Sequence, residues 1–214
     1  MNYINKNVLE KELFYDGVLI LKYHIEYPSI NISVNESAII RFNNYNKSLA
    51  LKIQNRAETE IYHNAVETYK YNKANGYPIM VFEIYRNFII TYEHLNILSL
   101  YTDEYTFSGG AHGNTIRNSQ TWNLLIGTMI KLDSFFPHNP YFLIDVLKQI
   151  NEQISKEPDI YFDNTCNLVL DTFNPDSFYL ISNGIVIYFQ QYDIAPYSSG
   201  IREFTIYALI WLVL

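Results

Sequence analysis

Apolar and polar positions change their period several times along this chain, and each change marks an element. Leu19, Leu21, Tyr23 and Ile25 alternate with Ile20, Lys22, His24 and Glu26, a period of two that predicts a half-buried strand. Asp16-Gly17 separates this run from apolar residues 13–15, so a hairpin is expected there. From 43 to 75 the period lengthens. Leu49, Ile53, Ala57, Ile61, Ala65 and Tyr69 recur every four residues, with Lys52, Arg56, Glu60 and Glu67 largely opposite them. That pattern predicts one long amphipathic helix, stopped by Asn75-Gly76-Tyr77-Pro78.

Beyond the helix the short period returns. Runs 79–85 and 88–100 predict two strands joined at Arg86-Asn87, and 98–107 continues into a glycine-rich stretch from which 114–123 returns. Gly127 marks a further tight turn. Asn139 followed by Pro140 predicts the start of a second helix, with Leu143, Leu147, Ile150 and Ile154 on its apolar face. Asn183-Gly184 lies between two apolar runs and fits a type I′ turn. A last strand is expected at 202–206. The apolar run 206–214 is about half the ~20 residues that span a bilayer, so it reads as a buried strand or a final helical turn.

These elements predict an α+β fold of antiparallel sheets, with one long N-terminal helix and a second helix packed on a C-terminal meander. The expected division is an N-terminal α+β subdomain, 1–98, carrying the long helix, and a C-terminal α+β subdomain, 99–214, carrying a Gly-Gly-Ala-His loop.

Composition narrows the function. The chain has 214 residues, 49% of them hydrophobic and 17% charged, which describes a packed globular protein. The net charge of -7 repels phosphate backbones, so no nucleic-acid partner is expected, whereas a basic partner would be steered in. A single cysteine, Cys166, excludes an internal disulfide. Residues 1–12 are polar and contain no apolar signal-peptide core, so the chain as written reads as cytoplasmic. No transmembrane segment, metal site or cofactor is expected. His24 and Glu26 share a strand face, but two ligands are too few for a metal, and a solvated face is the better reading. The five histidines are scattered, and neither a Gly-x-Ser-x-Gly elbow nor a phosphate-binding loop is present.

Two stretches remain as candidate binding loops. The first contains Ser108, Gly109, Gly110, His112 and Asn114. Its glycines permit positive φ or close approach by another chain. The second contains Tyr192, Asp193, Pro196, Tyr197 and Ser198, a Tyr- and Ser-rich composition like that of an antibody paratope. Side by side at one end of a sheet, the two would form a concave polar site. His112 as a base with Ser108 or Ser198 as nucleophile is the alternative, hydrolytic reading.

Gly109-Gly110-Ala111-His112-Gly113-Asn114, Thr121-Trp122-Asn123-Leu124, a helix near Asn139-Pro140, and the run from Gln191 through Tyr192-Asp193-Ile194-Ala195-Pro196-Tyr197 to Gly200 resemble one family in that order. It is the bacterial pair of domains of unknown function in the extracytoplasmic region of RsiV-type anti-sigma factors. Related segments stand beside the catalytic domain of some peptidoglycan deacetylases. The resemblance implies a binding α+β module of the cell envelope. In the anti-sigma members the outer domain recognises lysozyme, a basic protein, so a lysozyme-like protein or a glycan is the expected partner. The sequence as it stands shows no sigma-binding segment and no deacetylase catalytic domain. It does not fix the oligomeric state.

Overall fold

The computed structural model describes residues 3–31 and 35–207. Strands β1 (Ile4–Tyr15) and β2 (Val18–Ile30) form the expected hairpin. Asp16 at φ 50° and Gly17 at φ 76° supply the two left-handed residues that a type I′ turn requires. Both strands run longer than the sequence pattern indicated.

Helix α1 (Glu36–Arg56) follows, capped by the Asn35 side chain, which accepts from the amide of Ala38. The expected single helix is interrupted. Residues Ala57–Ile61 form a π-helical turn, and α2 (Tyr62–Asn75) resumes beyond it before Gly76 ends it at φ 69°. The helical segment also begins seven residues earlier than its apolar period suggested. The extra residue in the turn rotates Glu58 towards the sheet, where its carboxylate accepts from the Tyr23 hydroxyl at 2.6 Å and from Lys11 Nζ at 3.1 Å. Gln54 Nε2 donates to the same hydroxyl at 2.9 Å.

The helical segment returns the chain to the end where β2 started, so β3 (Phe82–His94) pairs with β2 in parallel. The sheet is therefore mixed, and the expectation of purely antiparallel sheets is corrected. The expected break at Arg86-Asn87 is also absent. Arg86 is buried within β3, with its Nη1 donating to the Glu26 carbonyl at 2.8 Å. The true turn is Leu95-Asn96, with Leu95 at φ 52°. Strands β4 (Ile97–Phe107), β5 (Asn114–Asn123) and β6 (Thr128–Met129) complete a six-stranded sheet in the order β1-β2-β3-β4-β5-β6.

Helix α3 (Phe142–Ile154) starts later than the Asn139-Pro140 signal implied. Asn139 instead closes the preceding turn, accepting from the Tyr141 amide and donating to Asp145. The buried stripe of α3 is Val146, Ile150 and Ile154, while Leu143 is exposed. A short helix not foreseen in the sequence, α4 (Thr165–Thr172), carries the exposed Cys166. Strands β7 (Phe178–Ile181), β8 (Gly184–Phe189) and β9 (Arg202–Ile206) form a second, antiparallel sheet. Ile181 pairs with Gly184, so the β7–β8 turn is Ser182-Asn183. Neither Asn183 nor Gly184 has positive φ, and a type I′ turn is not formed there. Gly184 is required for a different reason. A Cβ on it would lie 2.5 Å from the carbonyl oxygen of Ile206 on β9. The apolar run beyond Tyr207 lies outside the described residues.

Two compact units result: Met1–Phe88 with Thr102–Thr115, and Ile89–Tyr101 with Ile116–Leu214. In the first, Leu21, Tyr23, Ile25, Phe82 and Ile84 pack against Ala50, Ala57, Ile61, Ala65 and Tyr69 of the helical segment. In the second, α3 and α4 cover the β7-β8-β9 sheet through Val146, Ile150, Val169, Ile187 and Phe204. Fully burying such aliphatic or aromatic side chains contributes about 1.5–3 kcal/mol each.

Candidate functional site

In the first unit, β4 and β5 are joined by Ser108–Gly113. Gly109 at φ 96° and Gly110 at φ 90° sit in the left-handed region that side chains with a Cβ avoid. Gly113 is buried, with no room for a Cβ against the Tyr105 ring and the Thr106 carbonyl. Pinned at these points, the loop exposes Ser108, Gly110, Ala111, His112 and Asn114. His112 Nδ1 lies 3.0 Å from the Gly113 carbonyl oxygen, a geometry that makes Nδ1 the protonated nitrogen in that contact. Gly109 is half-buried beside Met80.

The second candidate loop lies in the other unit and begins where β8 ends. Gln190 fastens it. Its Oε1 accepts from the Arg117 amide at 3.0 Å, and its Nε2 donates to the Arg117 carbonyl at 2.7 Å, so one side chain takes the place of a strand neighbour. Asp193 folds the loop back, its carboxylate accepting from the Gln190 amide at 2.7 Å. Burial raises the Asp193 carboxyl above the ordinary range, against the opposing effect of that N–H. Ile194 and Ala195 are sunk into the core, and the Ile194 carbonyl accepts from the Phe162 amide.

Between these anchors Tyr192 is held at φ 69° and is 54% exposed. A tyrosine in the left-handed region is strained by roughly 1–3 kcal/mol. Its ring lies 5.8 Å from that of Tyr197. Pro196 and Ser198 are exposed, and Asp193 and Tyr197 are half-buried. Ser199 and Gly200 close the loop on the carbonyls of Pro196 and Tyr197.

Beneath it lies a group that sequence reasoning missed. The buried Arg117 guanidinium stacks 3.8 Å over the Tyr101 ring and pairs with Glu203, which also accepts from the Tyr179 hydroxyl at 3.0 Å. Burial, then the charge of Glu203, drives the Tyr179 hydroxyl well above the ordinary tyrosine range. The Tyr188 hydroxyl lies 3.1 Å from Ser119 Oγ. The only signal in the sequence was the high tyrosine content, which does not reveal which rings meet an arginine.

The candidate residues thus divide. Ser108, Gly109, Gly110, His112 and Asn114 belong to the first unit, and Tyr192, Asp193, Pro196, Tyr197 and Ser198 to the second. His24 is half-exposed between the carboxylates of Glu10, at 3.1 Å, and Glu26, at 3.3 Å. Glu26 itself is buried and paired with Lys6, so that strand face is not fully solvated as its sequence suggested. No group of three or more His, Cys, Asp or Glu side chains among the described residues is placed to hold a metal ion. No helix among them is long and apolar enough to cross a membrane.

Two family models match the chain in tandem. The one described as deacetylase PdaC matches residues 19–115, and the one described as a protein of unknown function, DUF3298, matches residues 133–207. None of the curated proteins matches. Among solved structures, a member of the DUF3298 family from Bacteroides fragilis is similar at TM-score 0.69 and 18% identity, over 95% of this chain and 89% of the other. A DUF3298 family protein from Pseudomonas aeruginosa is similar at TM-score 0.61 and 14% identity, over 95% and 90%. At these identities the likeness establishes a shared fold.

Proposed function

We propose that this chain is a non-catalytic recognition module of the bacterial cell envelope, of the kind carried by RsiV-type anti-sigma factors, and that its ligand is a basic, lysozyme-like protein. The observation that carries this reading is the loop after β8. Gln190, Asp193, Ile194 and Ala195 anchor it, and a strained, exposed Tyr192 is presented beside Tyr197, Pro196 and Ser198. Rigid aromatic side chains on a fixed backbone bind with little entropy to lose.

Two further facts support it. The net charge of -7 suits a basic partner. The tandem match to a deacetylase-type and a DUF3298-type model agrees with a cell-envelope setting. The exposed residues of the glycine loop, Ser108, Gly110, His112 and Asn114, are proposed as a second contact region, with Gly109 setting their backbone.

Pull-down of the full chain on immobilised lysozyme and on insoluble peptidoglycan tests the proposal. Retention on lysozyme, weakened by Tyr192→Ala, is the expected result. Retention on peptidoglycan alone would redirect it to a glycan. Turnover of an acyl or glycosidic substrate that disappears in His112→Ala would replace it with the hydrolytic reading.

A further inference from the structure

The outer face of α1 carries a repeat that the core does not explain. Ile40-Arg41 with Asn44 recurs as Leu51-Lys52 with Asn55, eleven residues on. Eleven residues are about three helical turns, so the two sets lie on one line roughly 16 Å apart. All six side chains are exposed, with Ile40 at 49% and Leu51 at 43%. Exposed Lys47 and Ser48 lie between them, and a shallow groove of about 550 Å³ runs along Asn44, Lys47, Ser48, Leu51, Lys52 and Asn55.

The charge of this face opposes that of the chain. The side chains of Arg41, Lys47 and Lys52 form no ion pair or hydrogen bond with any described residue. Arg56, at the end of α1, is tied to Glu104 and is not counted with them. The only acidic side chain on α1 is Glu36, in its first turn.

We infer that this face docks peripherally on a membrane surface bearing anionic phospholipid headgroups. Free cations alternating with exposed aliphatic side chains along one helix face suit a flat, negatively charged, apolar-backed surface. A compact anion would need converging donors rather than a line. The Debye length at physiological salt is about 8 Å, so carboxylates elsewhere on this acidic molecule are largely screened from the lipid. The inference rests on α1 alone and does not depend on the recognition loops.

Sedimentation of the full chain with vesicles of 30% phosphatidylglycerol in phosphatidylcholine, and with pure phosphatidylcholine vesicles, tests it. Binding to the anionic vesicles only, abolished in high salt, is the expected result. Each basic residue near the surface changes affinity about fivefold, so Lys47→Gln with Lys52→Gln is expected to weaken binding about 25-fold. Leu51→Ser is expected to weaken binding while leaving its salt dependence unchanged. These positions are exposed, and circular dichroism checks that the variants stay folded. Equal binding to both vesicle types, or no effect of the double variant, would overturn the proposal. So would binding to soluble polyphosphate without binding to vesicles.

Discussion

Gln190 replaces a missing strand neighbour for Arg117, receiving its amide at 3.0 Å and donating to its carbonyl at 2.7 Å. The first residue of the tyrosine-bearing loop is thereby locked to the middle of β5. Both bonds would be lost in Gln190→Ala, while the Arg117 carbonyl keeps its 3.4 Å contact with the Tyr188 hydroxyl. A buried polar group that loses a partner costs about 1–3 kcal/mol. Urea unfolding of Gln190→Ala is expected to show a loss of about 1–3 kcal/mol, together with faster hydrogen exchange across 190–200. An unchanged midpoint would show that the pairing is incidental.

Asp193 gives that loop a pH dependence of known sign. Burial raises its carboxyl in the folded state. A raised carboxyl contributes stability that is complete below its unfolded value, about 3.9, and is lost as pH rises through the folded value. Asp193→Asn keeps an acceptor for the Gln190 amide without the charge. It is expected to be at least as stable as the parent at neutral pH and to vary less between acid and neutral conditions. Denaturant midpoints at the two pH values check this.

Glu26 has the opposite sign. Burial works to raise its carboxyl, but the hydrogen bonds and charges of Lys6 and His24 together hold it below the ordinary range. Its contribution is present above the unfolded value and lost as pH falls through the folded one. Glu26→Gln is expected to lower stability at neutral pH and to remove part of the acid lability. Thermal melts at neutral pH and below the usual carboxylate range show whether the parent and variant curves converge on acidification, as expected.

Gly184→Ala tests the reading of the β7–β8–β9 sheet. The added methyl would meet the backbone carbonyl of Ile206, which cannot rotate away. Overpacking of this kind costs about 1–3 kcal/mol, and a drop of that size in unfolding free energy is the expected outcome. A neutral effect would mean that β9 can move aside.

Local signals were legible in the sequence and long-range ones were not. Asp16-Gly17 fixed its hairpin because both residues tolerate positive φ. The long helix was legible in its apolar stripe, and so in retrospect was the π turn. A strict spacing of four across Ala57, Ile61, Ala65 and Tyr69 exceeds the 3.6 residues of an α-helical turn, and an under-wound turn absorbs the excess. Arg86-Asn87 imitated a turn because two polar residues interrupt an apolar run. Only the Glu26 carbonyl, sixty positions away in sequence, reveals why an arginine is buried there. Asn183-Gly184 misled because its glycine answers to a close approach by β9 rather than to a turn. Helix α4 has no apolar period, with Val169 its only buried apolar residue. The candidate loops were visible as composition. Their anchors, Gln190 on Arg117 and Arg117 on Tyr101, were not, because those pairings join segments distant in sequence.

The most direct test of the recognition reading is calorimetric titration of lysozyme into the full chain and into Tyr192→Ala, with peptidoglycan fragments run in parallel. Saturable heat with lysozyme is the expected result, with an affinity at least tenfold weaker in the variant, a loss of about 1.4 kcal/mol or more at a central aromatic contact. Absence of heat with lysozyme, or binding indifferent to Tyr192, would contradict it.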